Sequence, residues 1–528
     1  MANNKHDVIV IGAGLSGLSA AWLLHKENVD VVVLEARDRV GGRTYTIHNS
    51  DVGYCDLGGS YAGPTQNRLF RIAKEVDVDN YILPDKDQSV WLENGKAIPF
   101  KVTGYFPFFW NPFIYTDFNY LMREWDRMGE MIPKDAPWDC KYAKEWDNKT
   151  MQQWIDENIW TKTVRELARQ QVNINVCAEP EEVSMLWFLW YVVQCGGFLR
   201  ISSNTNGGQE RKFHGGTQQI SIKISERIGS ERVKLNSAVA RIQQNEIGVM
   251  VTTLDGDTYK ADHVIISIPP PLTAHITYDP PLPPLRLQHA QRIPMGSAMK
   301  CIAYYKTPFW TKKNLTGSII AVDQKCPFVH VINDTKPDGS FPAVVTFVVG
   351  NKAREFIVKT TEERKRLVCE YLAIAYDNEE ALHPVHYLEK SWMTEPYSGG
   401  CYTAIIPPGQ LTKYGKIIRE PVGRLYFAGT ETATEWSGYM DGAIQAGERA
   451  SRQVLHTIGK LSADEIWQNE PQSLDVPAYP FKNTFIERNL PSVGGFVSFF
   501  VSSLLVGGAV AGYVIYKNKL IDVSINWK

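Results

Sequence analysis

The chain has 528 residues, 44% of them hydrophobic, and a formal net charge of -2. That length exceeds what one core supports and implies two or three domains. The near-neutral charge argues against a nucleic-acid partner, which needs a basic excess. The 8 cysteines, at Cys55, Cys140, Cys177, Cys195, Cys301, Cys326, Cys369 and Cys401, include no C-x-x-C pair. This excludes the common zinc and thioredoxin-like frameworks and predicts reduced, buried thiols.

The start, MANNKHDVIV, has no apolar run behind a basic region and reads as neither a secretory signal nor a transit peptide. HDVIVIGAGLSGLSAAWLLHKENVDVVVLE then reads as strand, glycine turn, helix and second strand. Gly12, Gly14 and Gly17 form G-x-G-x-x-G directly after the first strand. Gly12 permits the turn, Gly14 lets a pyrophosphate approach the backbone, and Gly17 lets the helix pack on the sheet. The helix start offers free amide donors to phosphates, and Glu35 closes the second strand where an acid accepts from a ribose. These parts in this order predict a dinucleotide-binding unit.

The next stretch, ARDRVGGRT, carries Arg37 and Arg43 around a further glycine pair. It resembles the second motif of the FAD-dependent amine oxidase superfamily, and the resemblance implies that Arg43 reaches the pyrophosphate. DLGGSYAG, with Gly59 and Ser60, resembles the loop that runs past the flavin in that superfamily.

Further along, ERVKLNSAVARIQQNEIGVMVTTLDGDTYKADHVIISIPP alternates apolar and polar residues around a turn, as a hairpin returning to the sheet does. GRLYFAGTETATEWSGYMDGAIQAGERA reads as a buried strand, a glycine turn and a long helix from about Gly438. The expected fold is α/β (α+β): a Rossmann-like FAD-binding domain built from residues 1–91, 215–295 and 395–460. An interleaved substrate domain takes residues 92–214 and 296–394, followed by a C-terminal extension at 461–490 and a membrane helix at 491–517. Residues 493–516 carry no charge over 24 positions, about 36 Å as a helix, enough for a hydrocarbon core of about 30 Å. Arg488 precedes this run, and Lys517 and Lys519 follow it. So few residues follow that insertion is expected after synthesis, with the body left in the cytosol.

YSGGCYT holds a single thiol behind two glycines. Gly399 and Gly400 carry no side chain to block the edge of a flavin ring, so Cys401 can approach it and form a thioether. Tyr402 follows directly. GAGLSGL, EARDRVGGRT, TNGGQERKF, SGGCYT, FAGTETAT, WSGYMDGAIQAGERA and the apolar tail together resemble the monoamine oxidases over nearly the whole chain.

The resemblance implies FAD joined through an 8α-S-cysteinyl bond to Cys401, with Tyr402 and Tyr439 as an aromatic cage. Lys300 would hold a water against the reactive ring nitrogen. It also implies cofactor contacts from Val239, Trp392, Gly429, Thr430 and Met440. The substrate cavity would be lined by Ile174, Asn175, Ser202, Gln209 and His330. The implied reaction is oxidative deamination of primary and some secondary arylalkyl monoamines, giving aldehyde, ammonia and hydrogen peroxide with dioxygen as oxidant. No metal is implied. The implied setting is a homodimer on the mitochondrial outer membrane. Ser202 and His330 depart from the apolar or tyrosine residues of the two familiar subtypes. They predict a more polar cavity and, through His330, amine binding that depends on pH near neutrality. His386 and Cys369 fall at family positions sensitive to change and read as structural. Three alternatives stay open: an oxidase of polyamines or methylated lysine, a flavin-free escort of the same fold, and a membrane-tethered scaffold.

Overall fold

A computed structural model of the chain describes residues 5–83, 87–103, 106–107 and 111–525. The first four residues, part of the start MANNKHDVIV read above, lie outside these. Two sheets organise the molecule. The first orders its strands Val233–Lys234, Val31–Leu34, Lys5–Ile11, Thr258–Ile266, Val249–Thr253, Val239–Gln244 and Thr277–Asp279, with Leu425–Phe427 pairing on Thr258–Ile266. Lys5–Ile11 pairs in parallel with both Val31–Leu34 and Thr258–Ile266. All four residues of Val31–Leu34 are buried, as expected for a parallel strand covered on both faces.

The helix Leu15–Lys26 crosses between the first two strands, and the helix Met440–Thr457 packs on it with backbone nearly touching backbone. A Cβ added at Gly447 would sit 2.1 Å from the Ser16 carbonyl oxygen. Small residues in GAIQAGERA are therefore what lets these helices approach.

The second sheet runs His386–Ser391, Ala298–Tyr304, Ala343–Val349, His330–Asn333, Leu315–Ala321, Gln88–Glu93 and Lys96–Phe100. Every residue of Ala298–Tyr304 and of Ala343–Val349 is buried. A helical layer that includes Pro112–Gly129, Lys162–Val176 and Met185–Gln194 forms its own core around Trp125, Phe188 and Phe198. Chain segments alternate between the sheets, as the interleaved reading expects. One boundary needs correction. The cut after residue 91 falls inside Gln88–Glu93, which pairs with Leu315–Ala321, so the chain enters the second sheet at Gln88.

The terminal helix spans Val493–Ile525. Its segment Val493–Val514 is long and apolar enough to cross a membrane, and only 6% of its most apolar window is buried inside the protein. Phe499, Leu504 and Leu505 stand in the open. Met185–Gln194 is as apolar but lies in the core, with Leu186, Phe188 and Leu189 buried.

Candidate active site

A cavity of about 1200 Å³ runs from the first glycine turn to the face of the second sheet. Its first end is made largely of backbone. Gly12 adopts φ +100°, and its N–H donates to Leu34 O at 2.8 Å. Gly17 does not line the cavity. A Cβ there would stand 1.9 Å from the Gly12 carbonyl oxygen, so Gly17 seats the helix on the turn. Gly41 N–H donates to Ala13 O at 2.8 Å, which brings the second glycine pair over the first. A Cβ on Gly42 would come within 3.2 Å of the Gly14 Cα.

The Glu35 carboxylate is buried at the rim of this end, where it accepts Ala13 N–H at 2.7 Å and Arg37 N–H at 2.9 Å. Ser237, Val239, Thr430 and Met440 complete the wall. A bare-backbone cradle, a helix N-terminus and a rim carboxylate suit the phosphates and ribose of a dinucleotide. FAD therefore fits the residues present.

The two arginines tie the segments together. Arg43 Nη1 bonds the Glu431 carboxylate at 2.6 Å and Tyr402 O at 2.9 Å. Arg37 Nη2 donates to Ser398 Oγ at 2.8 Å, and its Nε reaches Glu395 at 3.4 Å. Gly429 lies outside the main cavity, beside a small separate void near His289.

At mid-cavity Cys401 is buried, and its N–H donates to Gly296 O at 3.0 Å. Gly400 is needed here: at φ +144°, a Cβ would meet that same oxygen at 2.3 Å. Burial pushes the Cys401 thiol up to about 12, against the pull of Arg43 and Lys300. The Cys177 thiol lies beside Tyr402, and burial holds it well above the usual thiol range. The Tyr439 ring stands edge-on to Trp436 with centroids 4.9 Å apart, and lies 6.0 Å from the Tyr191 ring. Burial holds both Tyr402 and Tyr439 well above the usual phenol range, so both are neutral.

Lys300 Nζ donates to Gly58 O at 2.6 Å, Ser60 Oγ at 2.6 Å and Asp56 O at 3.2 Å. Trp392 Nε1 donates to Leu57 O at 3.0 Å. The DLGGS loop is thus clamped by side chains of the second sheet and its continuation. Burial, then the nearby Lys212 charge, lower the Lys300 pKa to about 8.

Ile174, Asn175, Ser202, Gln209 and His330 all line the far end. Ser202 Oγ donates to Gln171 Oε1 at 3.1 Å, and Asn175 Nδ2 donates to Gln171 O at 2.8 Å. Gln209 Nε2 donates to Ile201 O at 3.0 Å, leaving its Oε1 without a partner. Burial lowers the His330 pKa to about 4. This corrects one expectation: the ring is neutral throughout the physiological range and supplies no titration near pH 7. His386 begins an edge strand and Cys369 is buried in the helix Thr361–Tyr376; neither lines the cavity.

The sequence reading missed Tyr191, Gln171 and Tyr61 on the cavity wall. Tyr61 stands in the quoted DLGGSYAG, where its period after the glycines could have marked it. Tyr191 is indistinguishable by pattern from the apolar residues of its helix.

A cavity with a dinucleotide cradle at one end and an aromatic, neutral wall beyond it defines a flavin-dependent oxidase. Residues 15–455 match the family described as flavin containing amine oxidoreductase, and the chain belongs to that family and is an FAD-dependent amine oxidase. It is 55% identical over 522 residues to the flavin-containing amine oxidase of Danio rerio, with 99% of each chain covered. It is 52% identical over 518 residues to flavin-containing amine oxidase B of Mus musculus, covering 98% of this chain and 99% of that one. Among solved structures, cyclohexylamine oxidase from Brevibacterium oxydans IH-35A aligns with a TM-score of 0.82 at 30% identity, covering 86% of this chain and 99% of that one.

Proposed function

We propose that the chain oxidatively deaminates primary and some secondary arylalkyl monoamines, with FAD bound through an 8α-S-cysteinyl thioether to Cys401. The observation that carries this is the placement of a single buried thiol on the cavity wall, directly before Tyr402 and open to the space the dinucleotide cradle leads into. Bound FAD supplies the two-electron acceptor for the amine and passes those electrons to dioxygen, giving hydrogen peroxide.

The residues contribute binding, orientation and charge control. Glu35 accepts from the ribose, the Gly12–Gly14 turn takes the pyrophosphate, and Arg43 adds a positive charge near it. Val239, Trp392, Gly59, Thr430 and Met440 pack the cofactor, and Arg37 and Gly429 support its segments from behind. Tyr402 and Tyr439 present π-faces that orient the amine nitrogen and its α-carbon. An ammonium ion gains no counter-charge there, because both tyrosines and His330 are neutral. Burial therefore favours the free amine, the form that can lose a hydride equivalent. Lys300, whose Nζ is bonded to Gly58 O, Ser60 Oγ and Asp56 O, brings its charge to the cavity wall for the dioxygen step. Ile174 packs the aryl group, while Asn175, Ser202, Gln209 and His330 give that end polar contacts. The imine product hydrolyses to aldehyde and ammonia.

We further place the protein as a homodimer anchored by its terminal helix in the mitochondrial outer membrane, body toward the cytosol. The exposed apolar stretch Val493–Val514 supports the anchorage. The residue ranges given above for the FAD-binding and substrate domains stand as our division of the chain, with the first crossing moved to Gln88.

Acid precipitation of the detergent-purified protein tests the cofactor link. Flavin absorbance is expected to stay in the washed pellet, and to move to the supernatant in Cys401→Ala. Forming the thioether removes two protons and two electrons, which dioxygen accepts. Release of flavin from the wild-type pellet would remove the covalent reading and leave the non-covalent oxidase. Peroxide formation on phenethylamine, tyramine and serotonin, set against putrescine, tests the substrate class.

A further inference from the structure

Behind the DLGGS loop lies a buried set of charges that the proposed chemistry does not use. Lys212 and Asp334 are each 1% exposed and bonded to one another. The Asp56 carboxylate lies 3.6 Å from Lys212 Nζ and accepts from Thr46 Oγ1 at 2.6 Å and Thr217 N–H at 3.0 Å. The carbonyl of this same Asp56 receives Lys300 Nζ. Lys212 and Lys300 also share one aromatic ring: their Nζ atoms stand 5.7 Å and 5.6 Å from the Tyr61 centroid. Lys336 Nζ is 3.8 Å from Asp334. Three ammonium groups thus meet two carboxylates, so the buried set carries one positive charge too many.

We propose that Asp334, Lys212 and Asp56 are positioning residues for Lys300. Asp334 compensates Lys212, Asp56 joins that ion pair to the loop carbonyls that receive Lys300, and their balance sets whether Lys300 meets the cavity as ammonium or as amine. The inference rests on the role given to Lys300 above. Two of the three are weakly compensated and shed the excess charge most readily: Lys336, whose Nζ has no hydrogen-bond partner and whose pKa burial lowers, and Lys300, the one that lines the cavity. Lys212 is held well above the usual lysine range, because Asp334 and then Asp56 outweigh its burial. Lys300 is bonded only to neutral acceptors, and its burial and Lys212 depress it to about 8. Other charged or titratable groups facing it are Cys55 beside Asp56, Lys336 beyond Asp334, and Cys401 across the cavity. Its cross-strand neighbour Lys390 is bonded to Glu395.

The arrangement predicts opposite shifts from the two partners of one ion pair, an order that loss of packing does not produce. Lys212→Met removes a like charge and raises the pH at which Lys300 deprotonates. Asp334→Asn leaves Lys212 less compensated and lowers it. The paired change Lys212→Met with Asp334→Asn cancels both.

The test uses the detergent-purified holoenzyme. Trace acetylation by acetic anhydride, read on the Lys300 peptide by mass spectrometry, gives the midpoint against pH. Stopped-flow reoxidation of the amine-reduced enzyme by dioxygen gives a second profile. The wild-type midpoint is expected at about 8. Lys212→Met should move it up, and Asp334→Asn down, each by about one pH unit, with the double variant back near wild type. Equal midpoints in the two single variants, or shifts of the same sign, would overturn the inference. If Asp334→Asn does not fold, Lys212→Met and the double variant still decide the order. Lys300→Met separates the two ideas. If it leaves the reoxidation profile unchanged, Lys300 has no part in the dioxygen step, whereas the labelling order alone decides the positioning inference.

Discussion

The two ends of the cavity are built from different materials. Around Gly12, Gly14 and Gly42 the wall is backbone, and behind it Gly17 sits so close to the Gly12 carbonyl that an added methyl group has nowhere to go. Around Ile174, Ser202 and His330 the wall is side chain, standing on strands and helices whose backbones are already paired. One end demands particular residues, and the other accepts a range of them. A family that shares one cofactor and varies its amine needs this division, because substitutions at the far end leave the cradle untouched.

The largest expected effect comes from breaking the rigid end. In Gly17→Val the new Cβ alone would lie 1.9 Å from the Gly12 carbonyl oxygen, a backbone atom that can move only with the turn. The expected outcome is loss of bound flavin and a destabilisation of about 3 kcal/mol or more. Flavin content and thermal melting of the purified variant measure both. A variant that melts like wild type and holds flavin would show that the turn has slack the structure does not display.

The middle of the cavity should respond less severely. Tyr439 is fixed by the edge of Trp436 and the ring of Tyr191, so its removal loosens the amine without reaching the cradle. Tyr439→Ala is expected to keep its flavin and to lose about 10- to 100-fold in kcat/KM for phenethylamine. Tyr439→Phe, which keeps the ring, should lose far less. Equal losses in the two variants would place the contribution in the hydroxyl rather than in the π-face.

The division also explains what could be read from the sequence. The strand–turn–helix around Gly12 is local, and its spacing carries its own geometry. SGGCYT was legible as a close approach to a cofactor from its glycine pair, and DLGGS through its resemblance to a family loop. The side chains that hold those loops were not. Arg43 meets Glu431 across 388 positions, and Lys212 meets Asp334 across 122. A lysine in QERKF looks like any solvated surface lysine, yet Lys212 is buried against Asp334, Asp56 and the Tyr61 ring, all from distant segments. The first crossing to the second sheet was misplaced although LPDKD, directly before Gln88–Glu93, carries the proline and aspartates of a chain break. Residue 330 was legible as a polar departure, but its protonation was not, since the pKa follows from an enclosure that the sequence does not display.

The smallest expected effect lies at that position. His330 projects from a strand of the second sheet, beside Phe347 with ring centroids 6.4 Å apart, and no bond joins it to the cradle. His330→Ile should therefore change KM several-fold across a set of ring-substituted phenethylamines, and reorder them, while kcat moves little. The pH dependence sharpens this. With its folded pKa lowered to about 4 from an ordinary 6.5, the ring is neutral in the native protein and takes up a proton more readily when unfolded. The native state then loses stability as pH falls from about 6.5 toward 4, and His330→Ile should melt with a shallower acid dependence over that window. Above pH 6.5 the two proteins should run parallel, in melting and in the pH profile of KM. A step in the wild-type KM between pH 6 and 8 that His330→Ile abolishes would mean that the cavity admits enough water to charge the ring. The far end would then act as an electrostatic filter on the amine, and not only as a wall that shapes it.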